Sequence, residues 1–333
     1  LKGRCDSFVV ETDVHFPTDI SLMLDAIRKI IFLTAGLCEE LGITEWRQYR
    51  YLFKKIKKLF NFVRKLKHSS AKDEHKKALR EQLIVDVHRR YVELVQGHVN
   101  RAKETCVILK QMGIGSVDRL ATIESYIAHA ERQIDQIRRR VIEGQTIAHH
   151  EKVFSIFEEH TEWLCKGKAG VPQELGLSVC VLEDQHGFIL HHQVMENQKD
   201  VDIAVAMVAA AKEKFAALSV CSFDKGFYSP ANRRQLGEIL DQVVLPKKGK
   251  LSEADKQIEH SEEFIASRHR HAAVESAINA LENHGLDRCL DHGIDGFKRY
   301  VALAVLARNI QLVGARLRRA SLDSERRRLR RAA

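Results

Sequence analysis

The chain has 333 residues, of which 44% are hydrophobic and 30% are charged, so it is long enough for more than one domain and has the composition of a globular protein. Apolar runs stay below the roughly 18 residues that span a bilayer, and residues 1–10 do not resemble a signal peptide. The seven cysteines are scattered and form no C-x-x-C pair, which argues against a zinc ribbon and a disulfide framework. We therefore expect a cytoplasmic protein that does not cross a membrane.

Composition divides the chain into zones, beginning with a first strand. Residues 7–15 are rich in β-branched residues and alternate in character, which predicts a strand that ends before Pro17. The zone 19–143 has no proline and few glycines, and it predicts helices throughout. We therefore expect a first strand segment in 1–19, an all-helical insertion in 20–147, the remainder of the core in 148–317 and a basic, disordered tail in 318–333.

Two hydrophobic stripes in the helical zone predict a pair of long helices. Apolar residues recur at alternating spacings of three and four in 120–141, which is the pattern of a coiled-coil seam, and a similar stripe occupies 79–109. Glycines between the stripes supply a turn. We therefore expect residues 79–111 and 117–142 to form an antiparallel coiled-coil hairpin that projects from the core.

Basic residues cluster in two places. Residues 47–68 hold nine Lys or Arg and no acidic residue, and residues 316–331 hold eight Arg against two acidic residues. Such clusters are typical of surfaces that bind polyanions. A solvated helix face, or a helix at a membrane surface, is the alternative interpretation. The candidate DNA-binding residues in the first cluster are Lys54, Lys55, Lys57 and Lys58.

The third zone predicts an α/β fold with a mixed sheet flanked by helices. Strands at 175–182 and 188–195 are joined by a turn, and Ser229 and Pro230 are favourable residues for the start of a further helix. With the first strand this gives about five strands and helices on both faces. The remaining predicted elements are helices at 201–218, 229–240, 270–283 and 296–317 and short strands at 219–223 and 242–246.

Three carboxylates have positions typical of a functional site. Asp6 lies in an apolar strand, where a charge is costly unless it is paired or binds a cation. Asp224 ends a short strand before a glycine turn, and Glu275 lies on the shoulder of an amphipathic helix. Each also has a structural explanation, as a strand-edge residue, a turn residue or part of a solvated face. As a set, carboxylates on separate elements suit Mg²⁺ or Mn²⁺.

Several segments, in a matching order, resemble the DDE transposases of bacterial insertion sequences, in particular the not-yet-classified (ISNCY) group. The likeness includes the segments Asp6–Asp19, Asp224–Asn232 and His271–Leu281 and extends to about residue 317. It implies an RNase H-like, retroviral-integrase-like catalytic core with the helical insertion after its first strand. It also implies that an upstream end-recognition region is missing, so we expect a chain truncated at its N-terminus.

The resemblance implies a chemistry and its partners. Asp6, Asp224 and Glu275 would be the catalytic residues and would hold two Mg²⁺ or Mn²⁺ ions for DNA cleavage and strand transfer. The partner would be double-stranded DNA, at the transposon ends and at the target, bound by a homo-oligomer associated with the bacterial nucleoid. Beyond the first basic cluster, the implied DNA-binding residues are Lys166, Lys168, Lys225, Arg268, Arg270 and Arg288.

One position departs from the wider class, and two other interpretations stay open. Many relatives have a lysine that holds a DNA phosphate seven residues after the catalytic glutamate, whereas this chain has Glu282. A decayed transposase that only binds DNA is the first alternative, and an RNase H-like nuclease without strand transfer is the second. Histidine pairs at 149–150 and 191–192 match no firm metal-ligand pattern.

Overall fold

A computed structural model describes residues 1–68, 73–113, 116–165 and 173–332 of the chain. The chain forms two compact units, a helical unit of His15–Glu159 and a mixed unit of Leu1–Val14 with His160–Ala333. The helical unit therefore interrupts the mixed unit after its first strand. Its C-terminal boundary lies beyond residue 147, where composition places the return to the core.

Four long helices make up the described part of the helical unit. The N-cap residue Thr18 forms a capping box with Ser21 at the start of the first helix, and Asp73 accepts hydrogen bonds from the first backbone N–H groups of the third. No proline interrupts residues 18–159. The helices are α1 (Asp19–Glu40), α2 (Tyr49–His68), α3 (Glu74–Gln111) and α4 (Val117–Ile137), and α4 continues into a π-helical turn at Arg138–Ile142.

Ion pairs give the relative directions of α3 and α4. Lys110, near the end of α3, pairs with Glu124 near the start of α4, whereas Lys103 pairs with Glu131 further along. The two helices therefore run antiparallel, which is the direction that the hydrophobic stripes predict. Gly113 has a φ of +65° after the last turn of α3, a conformation that favours glycine and ends the helix.

The expected projecting hairpin needs a correction, because α1 packs along α4 as well. Glu40 of α1 pairs with Arg119 of α4, and Asp19 pairs with Arg140 at 3.2 Å, so these helices also run antiparallel. α4 buries Gln133 beside its apolar stripe, which shows that more than one of its faces is covered. The helices share one hydrophobic core and form a bundle rather than an isolated coiled coil.

A mixed sheet forms the centre of the mixed unit. The first strand, β1 (Lys2–Thr12), pairs antiparallel with the second long strand and parallel with a shorter one, so it is central to the sheet. The strand order is β4-β3-β1-β5-β6, with β2 paired to one end of β3 and β7 to one end of β1. The other strands are β2 (Glu162–Leu164), β3 (Glu174–Asp184), β4 (Ile189–Met195), β5 (Val220–Phe223), β6 (Gln242–Val244) and β7 (Arg288–Cys289).

Helices cover both faces of this sheet. On one face Cys5 and Phe223 pack against a helix that contributes Met207, and on the other face Phe8 packs against a helix that contributes Val274. The alternation of side chains along β1 separates these two cores. The helices are α5 (Asp200–Lys214), α6 (Pro230–Ile239), α7 (Glu253–Glu259), α8 (Glu262–His271), α9 (Ala273–Leu281) and α10 (Gly293–Ala332).

The C-terminal helix α10 differs from its prediction. It continues to Ala332, so the expected disordered tail at 318–333 is helical as far as the structure describes it. Arginine, leucine, alanine and glutamate favour helix, and no glycine or proline follows Gly314. By length and composition, Gly293–Arg330 is the one helix among the described residues that could cross a membrane, although its N-terminal part packs on the sheet through Phe297 and Val301.

The chain leaves and re-enters the mixed unit at neighbouring positions. The hydroxyl groups of Thr12, at the end of β1, and Thr161, just before β2, lie 2.9 Å apart and share a hydrogen bond. Both side chains are buried. The two segments of the mixed unit that flank the insertion therefore meet at this point of the sheet.

Candidate active site

Asp6 and Asp224 lie side by side at the centre of the sheet. In the parallel register of β1 and β5, Cys5 pairs with Phe223, so the next residue of each strand is an aspartate at the same level. Neighbouring strands are about 4.8 Å apart. Since Cys5 and Phe223 both point into the α5 core, the alternation of side chains directs both aspartates to the opposite face.

Glu275 belongs to a helix on that opposite face. It follows Val274, which is fully buried together with Phe8 and Val10 of β1. Phe8 and Val10 occupy the same face of β1 as Asp6, because they are two and four residues further along. Glu275 itself is exposed in the first turn of α9. The sequence-predicted carboxylates therefore share one side of the sheet.

Asp6, Asp224 and Glu275 do not form a metal-binding group in this structure. Among the residues that the structure describes, no three His, Cys, Asp or Glu side chains are arranged so that they could hold a metal ion. Asp6 Oδ1 accepts a hydrogen bond from the backbone N–H of Ser7 at 2.8 Å. As donors, two neighbouring aspartates fit the chemistry of a hard divalent cation, and Glu275 is not grouped with them.

Asp200 connects the segments that follow the two aspartates. Its Oδ1 accepts a hydrogen bond from the Ser7 hydroxyl at 2.6 Å, and its Oδ2 lies 2.9 Å from the position that a Cβ atom would take on Gly226. Ser7 follows Asp6, and Gly226 belongs to the turn after Asp224. Gly226 is thus required for the close approach of Asp200. A side chain at 226 would push Asp200 away from Ser7.

An ion pair lies on the same face of the sheet as Asp6. Its arginine, Arg4, is two residues before Asp6 along β1. Arg4 Nε lies 2.9 Å from Glu183 Oε1, and the Arg4 guanidinium also donates to the carbonyl oxygen of Asp184 at 2.7 Å. Glu183 is only 1% exposed, and this burial raises its pKa to about 7, although Arg4 opposes the change. The pair anchors β1 to β3 beside Asp6, since Arg4 and Glu183 are direct cross-strand partners.

His271 anchors α8 to β5 on the Asp224 side. Its Nδ1 lies 3.0 Å from the Ser222 hydroxyl, and Ser222 points to the same face as Asp224, two residues further along. Burial lowers the pKa of His271, while the charge of Asp224 acts in the opposite direction.

The sequence-predicted DNA-binding residues are dispersed. In the mixed unit, Lys225, Arg268 and Arg270 are exposed, whereas Arg288 forms ion pairs with Glu11 at 3.1 Å and with Asp13 at 3.6 Å. Lys166 and Lys168 lie outside the described residues. The candidates of the helical unit, which are all exposed on α2, are Lys54, Lys55, Lys57 and Lys58.

Sequence analysis missed Asp200, Ser7 and Glu183. An aspartate in the first turn of a helix is common, because it interacts favourably with the helix dipole, so Asp200 carried no distinct signal. Glu183 precedes a turn and looked like a solvent-exposed strand end. One feature of the sequence could have indicated that Glu183 is buried: it directly follows the apolar run Val179–Leu182, where a charged residue is rare.

Comparisons with protein-family models, with curated proteins and with solved structures gave no match. A functional assignment therefore depends on the motifs and the geometry of this chain.

Proposed function

We propose that the chain is the catalytic core of an insertion-sequence DDE transposase, which cleaves DNA and transfers the cut strand. The observation that carries the proposal is the parallel pairing of Cys5 with Phe223, because Asp6 and Asp224 are the residues that directly follow this pair. Glu275, on a helix over the same face, is the third carboxylate of the proposal. The order of these residues along the chain agrees with the motifs that resemble the transposases.

An RNase H-like fold for the mixed unit is part of the proposal. Its support is the order β4-β3-β1-β5-β6, in which β3 runs antiparallel and β5 parallel to β1. The pairing of β4 with β3 is antiparallel, and that of β6 with β5 is parallel. A hairpin followed by parallel strands is the order that the resemblance implies. The helical unit would then be an insertion between the first strand and its neighbours.

In this proposal the carboxylates hold divalent cations. Mg²⁺ or Mn²⁺ bound by Asp6 and Asp224, with Glu275 completing the set, would supply nucleophile activation and charge stabilisation for phosphoryl transfer. Asp200 would hold these ligands in position through its contacts with Ser7 and with the turn at Gly226. Its exposed cations near the site, Lys225, Arg268 and Arg270, would bind the phosphates that flank the reacting one.

The decisive experiment compares Asp224→Asn with Asp241→Asn. Asp241 is an exposed aspartate that precedes β6, at the opposite end of the parallel strands, so its replacement controls for the loss of one charge. The assay measures Mg²⁺-dependent nicking and strand transfer on DNA that carries the element's ends, with protein that includes any residues encoded upstream of Leu1. We expect Asp224→Asn to abolish both reactions and Asp241→Asn to leave them unchanged.

Metal-free DNA binding by Asp224→Asn should be unchanged or slightly tighter, because a carboxylate near the phosphates repels them. Normal cleavage by Asp224→Asn would rule out the catalytic assignment. A wild-type protein that binds the ends and never cleaves them would establish the decayed, binding-only alternative. Cleavage without strand transfer would favour an RNase H-like nuclease.

A further inference from the structure

Helix α2 has two distinct faces. Its apolar face is buried in the helical core, where Ile56 and Val63 are fully covered and Phe60 is 8% exposed. The outer face carries a line of residues at alternating spacings of four and three, so they lie above one another on the helix. We call this line the α2 stripe, and it consists of Tyr51, Lys55, Lys58, Phe62 and Lys65.

The α2 stripe combines exposed rings with exposed cations. Tyr51 is 66% and Phe62 is 48% exposed, and each ring lies next to lysines along the helix. No acidic side chain among the described residues pairs with Lys55 or Lys58, so their charges are available to a ligand. The rings of Tyr51 and Phe62 are eleven positions apart in the sequence, which corresponds to about 16 Å along the helix. A ligand for this surface needs flat apolar groups and negative charges in alternation.

A recess at the start of α2 has the same chemistry. It has a volume of about 750 Å³, and two arginines and two tyrosines outnumber the single carboxylate in its lining of Glu39, Arg47, Gln48, Tyr49, Arg50 and Tyr51. The guanidinium of Arg50 lies 5.5 Å from the centre of the Tyr49 ring. Tyr51 therefore belongs both to the recess and to the α2 stripe.

Unpaired nucleic acid has this chemistry, whereas a duplex and a membrane fit less well. Bases in a duplex are stacked on each other, so exposed rings gain nothing from a duplex backbone. A helix that binds a membrane surface inserts an apolar face, and the apolar face of α2 is already buried in the bundle. Single strands offer bases for the rings and phosphates for the lysines.

We propose that the α2 stripe is a binding site for single-stranded DNA, in which Tyr51 and Phe62 stack on unpaired bases and the lysines neutralise phosphates. The site goes beyond the proposed catalytic function and does not depend on it. It gives the helical unit a preference for frayed or displaced strands over intact duplex.

The first test measures affinity by fluorescence anisotropy with the whole chain and no metal. The probes are an oligothymidylate of about 16 nucleotides, the upper range of single-strand site sizes, and a duplex of equal length. Tyr51→Ala and Phe62→Ala should each weaken single-strand binding by about 5-fold or more and leave duplex binding almost unchanged. Phe16→Ala, at a residue that is 61% exposed elsewhere in the helical unit, is the matched control.

Replacement of Lys55 and Lys58 by Gln should weaken binding to both probes, because phosphate neutralisation does not distinguish them. For the single strand, the slope of log affinity against log salt should flatten by about 0.7 for each phosphate that is no longer neutralised. Equal losses for both probes in the alanine variants, or no single-strand binding by the wild type, would overturn the proposal.

The second test reports stacking directly. Phe62→Trp adds an exposed indole to a chain whose Trp46 is 1% exposed and whose Trp163 is half-buried, and oligothymidylate should quench its emission beyond any quenching of the wild type. The conservative change Tyr51→Phe should retain affinity, since it keeps the ring. Quenching by anionic phospholipid vesicles with none by DNA would replace this site with a membrane-binding one. Because no cleavage is measured, the outcome is independent of Asp224.

Discussion

Charged side chains reach the interior of the mixed unit, whereas in the helical unit they stay mainly at the surface. Glu183, Asp184 and Asp255 of the mixed unit are each no more than 8% exposed. The ion pairs that join α3 to α4, such as Lys103 with Glu131, are more than 40% exposed on both sides. Among the described Asp, Glu, Lys and Arg residues of the helical unit, Glu158 near its C-terminal end is the exception.

This difference bears on the two proposals. A buried charge costs several kcal/mol unless it is well paired, and Glu183 is paired with Arg4, which also donates to the carbonyl oxygens of Asp184 and Arg270. Arg4 therefore joins β1, β3 and α8 beside Asp6. The single-strand site proposed for α2 requires only exposed lysines and rings over an apolar core, because phosphate neutralisation depends on surface charge.

The largest expected effect concerns the close packing of β1 on β3. A Cβ atom on Gly176 would lie 2.0 Å from the carbonyl oxygen of Val10, which is backbone and cannot rotate away. Gly176→Ala should therefore destabilise the mixed unit by about 3 kcal/mol or more. Gly97→Ala, in open space on α3, should instead stabilise the helical unit by about 0.5–1 kcal/mol.

Each unit contains one of the chain's two tryptophans, so fluorescence during urea unfolding can separate them. Trp163 reports the mixed unit in a Trp46→Phe background. A Gly176→Ala protein as stable as the wild type would show that β1 and β3 are further apart at this point than their pairing requires.

A smaller effect, dependent on pH, should come from Glu183. Its folded pKa of about 7 lies above the ordinary glutamate value of 4.5, so folding favours the protonated carboxyl. The stability contribution is present below pH 4.5 and is lost as pH rises to about 7, with a magnitude of at most about 3 kcal/mol, since the folded pKa already includes the opposing effect of Arg4. Glu183→Gln should flatten this part of the profile.

The measurement is the difference in unfolding free energy between wild type and Glu183→Gln at several pH values, which removes the contribution of His271. Glu124→Gln in the helical unit should leave the profile unchanged, because that carboxylate is at the surface. Parallel profiles for wild type and Glu183→Gln would contradict the assignment of a buried, titrating carboxyl.

The smallest expected effect on stability is that of Ser7→Ala, which should also lower the rate of the proposed reaction. Ser7→Ala removes the hydrogen bond to Asp200 and should cost about 1 kcal/mol. If the chain has the proposed activity, it should lower kcat for DNA cleavage and leave KM unchanged, because Asp200 would then position the aspartates rather than bind DNA. Ser276→Ala, at an exposed serine on α9, is the control. A change in KM alone would show that Ser7 acts in DNA binding.

Hydrophobic patterns predicted the long elements, but they missed α7 and most of α8, although Ser252 and Ser261 cap these helices. The hairpin of β3 and β4 and the helix that begins at Pro230 after the N-cap Ser229 follow from alternation and from capping residues. β2 and β7 have only three and two residues, too few for any period to appear. The break at Ala272 between α8 and α9 also has no local signal, since alanine favours helix.

For the candidate site, sequence predicted the aspartates and could not predict what surrounds them. Asp6 and Asp224 were identifiable because each interrupts or ends an apolar strand. Their neighbours Ser7 and Asp200 are 193 residues apart along the chain, and only the packing of α5 on the sheet brings them together. The amphipathic pattern of 270–283 predicted a helix at Glu275, but it could not predict that this carboxylate stays outside a metal-binding group with the aspartates.

The helical unit separates β1 from β3 along the chain, and this separation has a consequence for folding on the ribosome. β1 is made first, yet its contact with Cys180 of β3 spans 175 residues, which at 5–20 residues per second corresponds to roughly 10 to 35 seconds of elongation. The helical unit is complete before β3 emerges and can fold in that interval. Until then the apolar strand that carries Asp6 has none of its sheet partners and is exposed to aggregation, so nascent chains should depend on a holding chaperone until about residue 184 has been released.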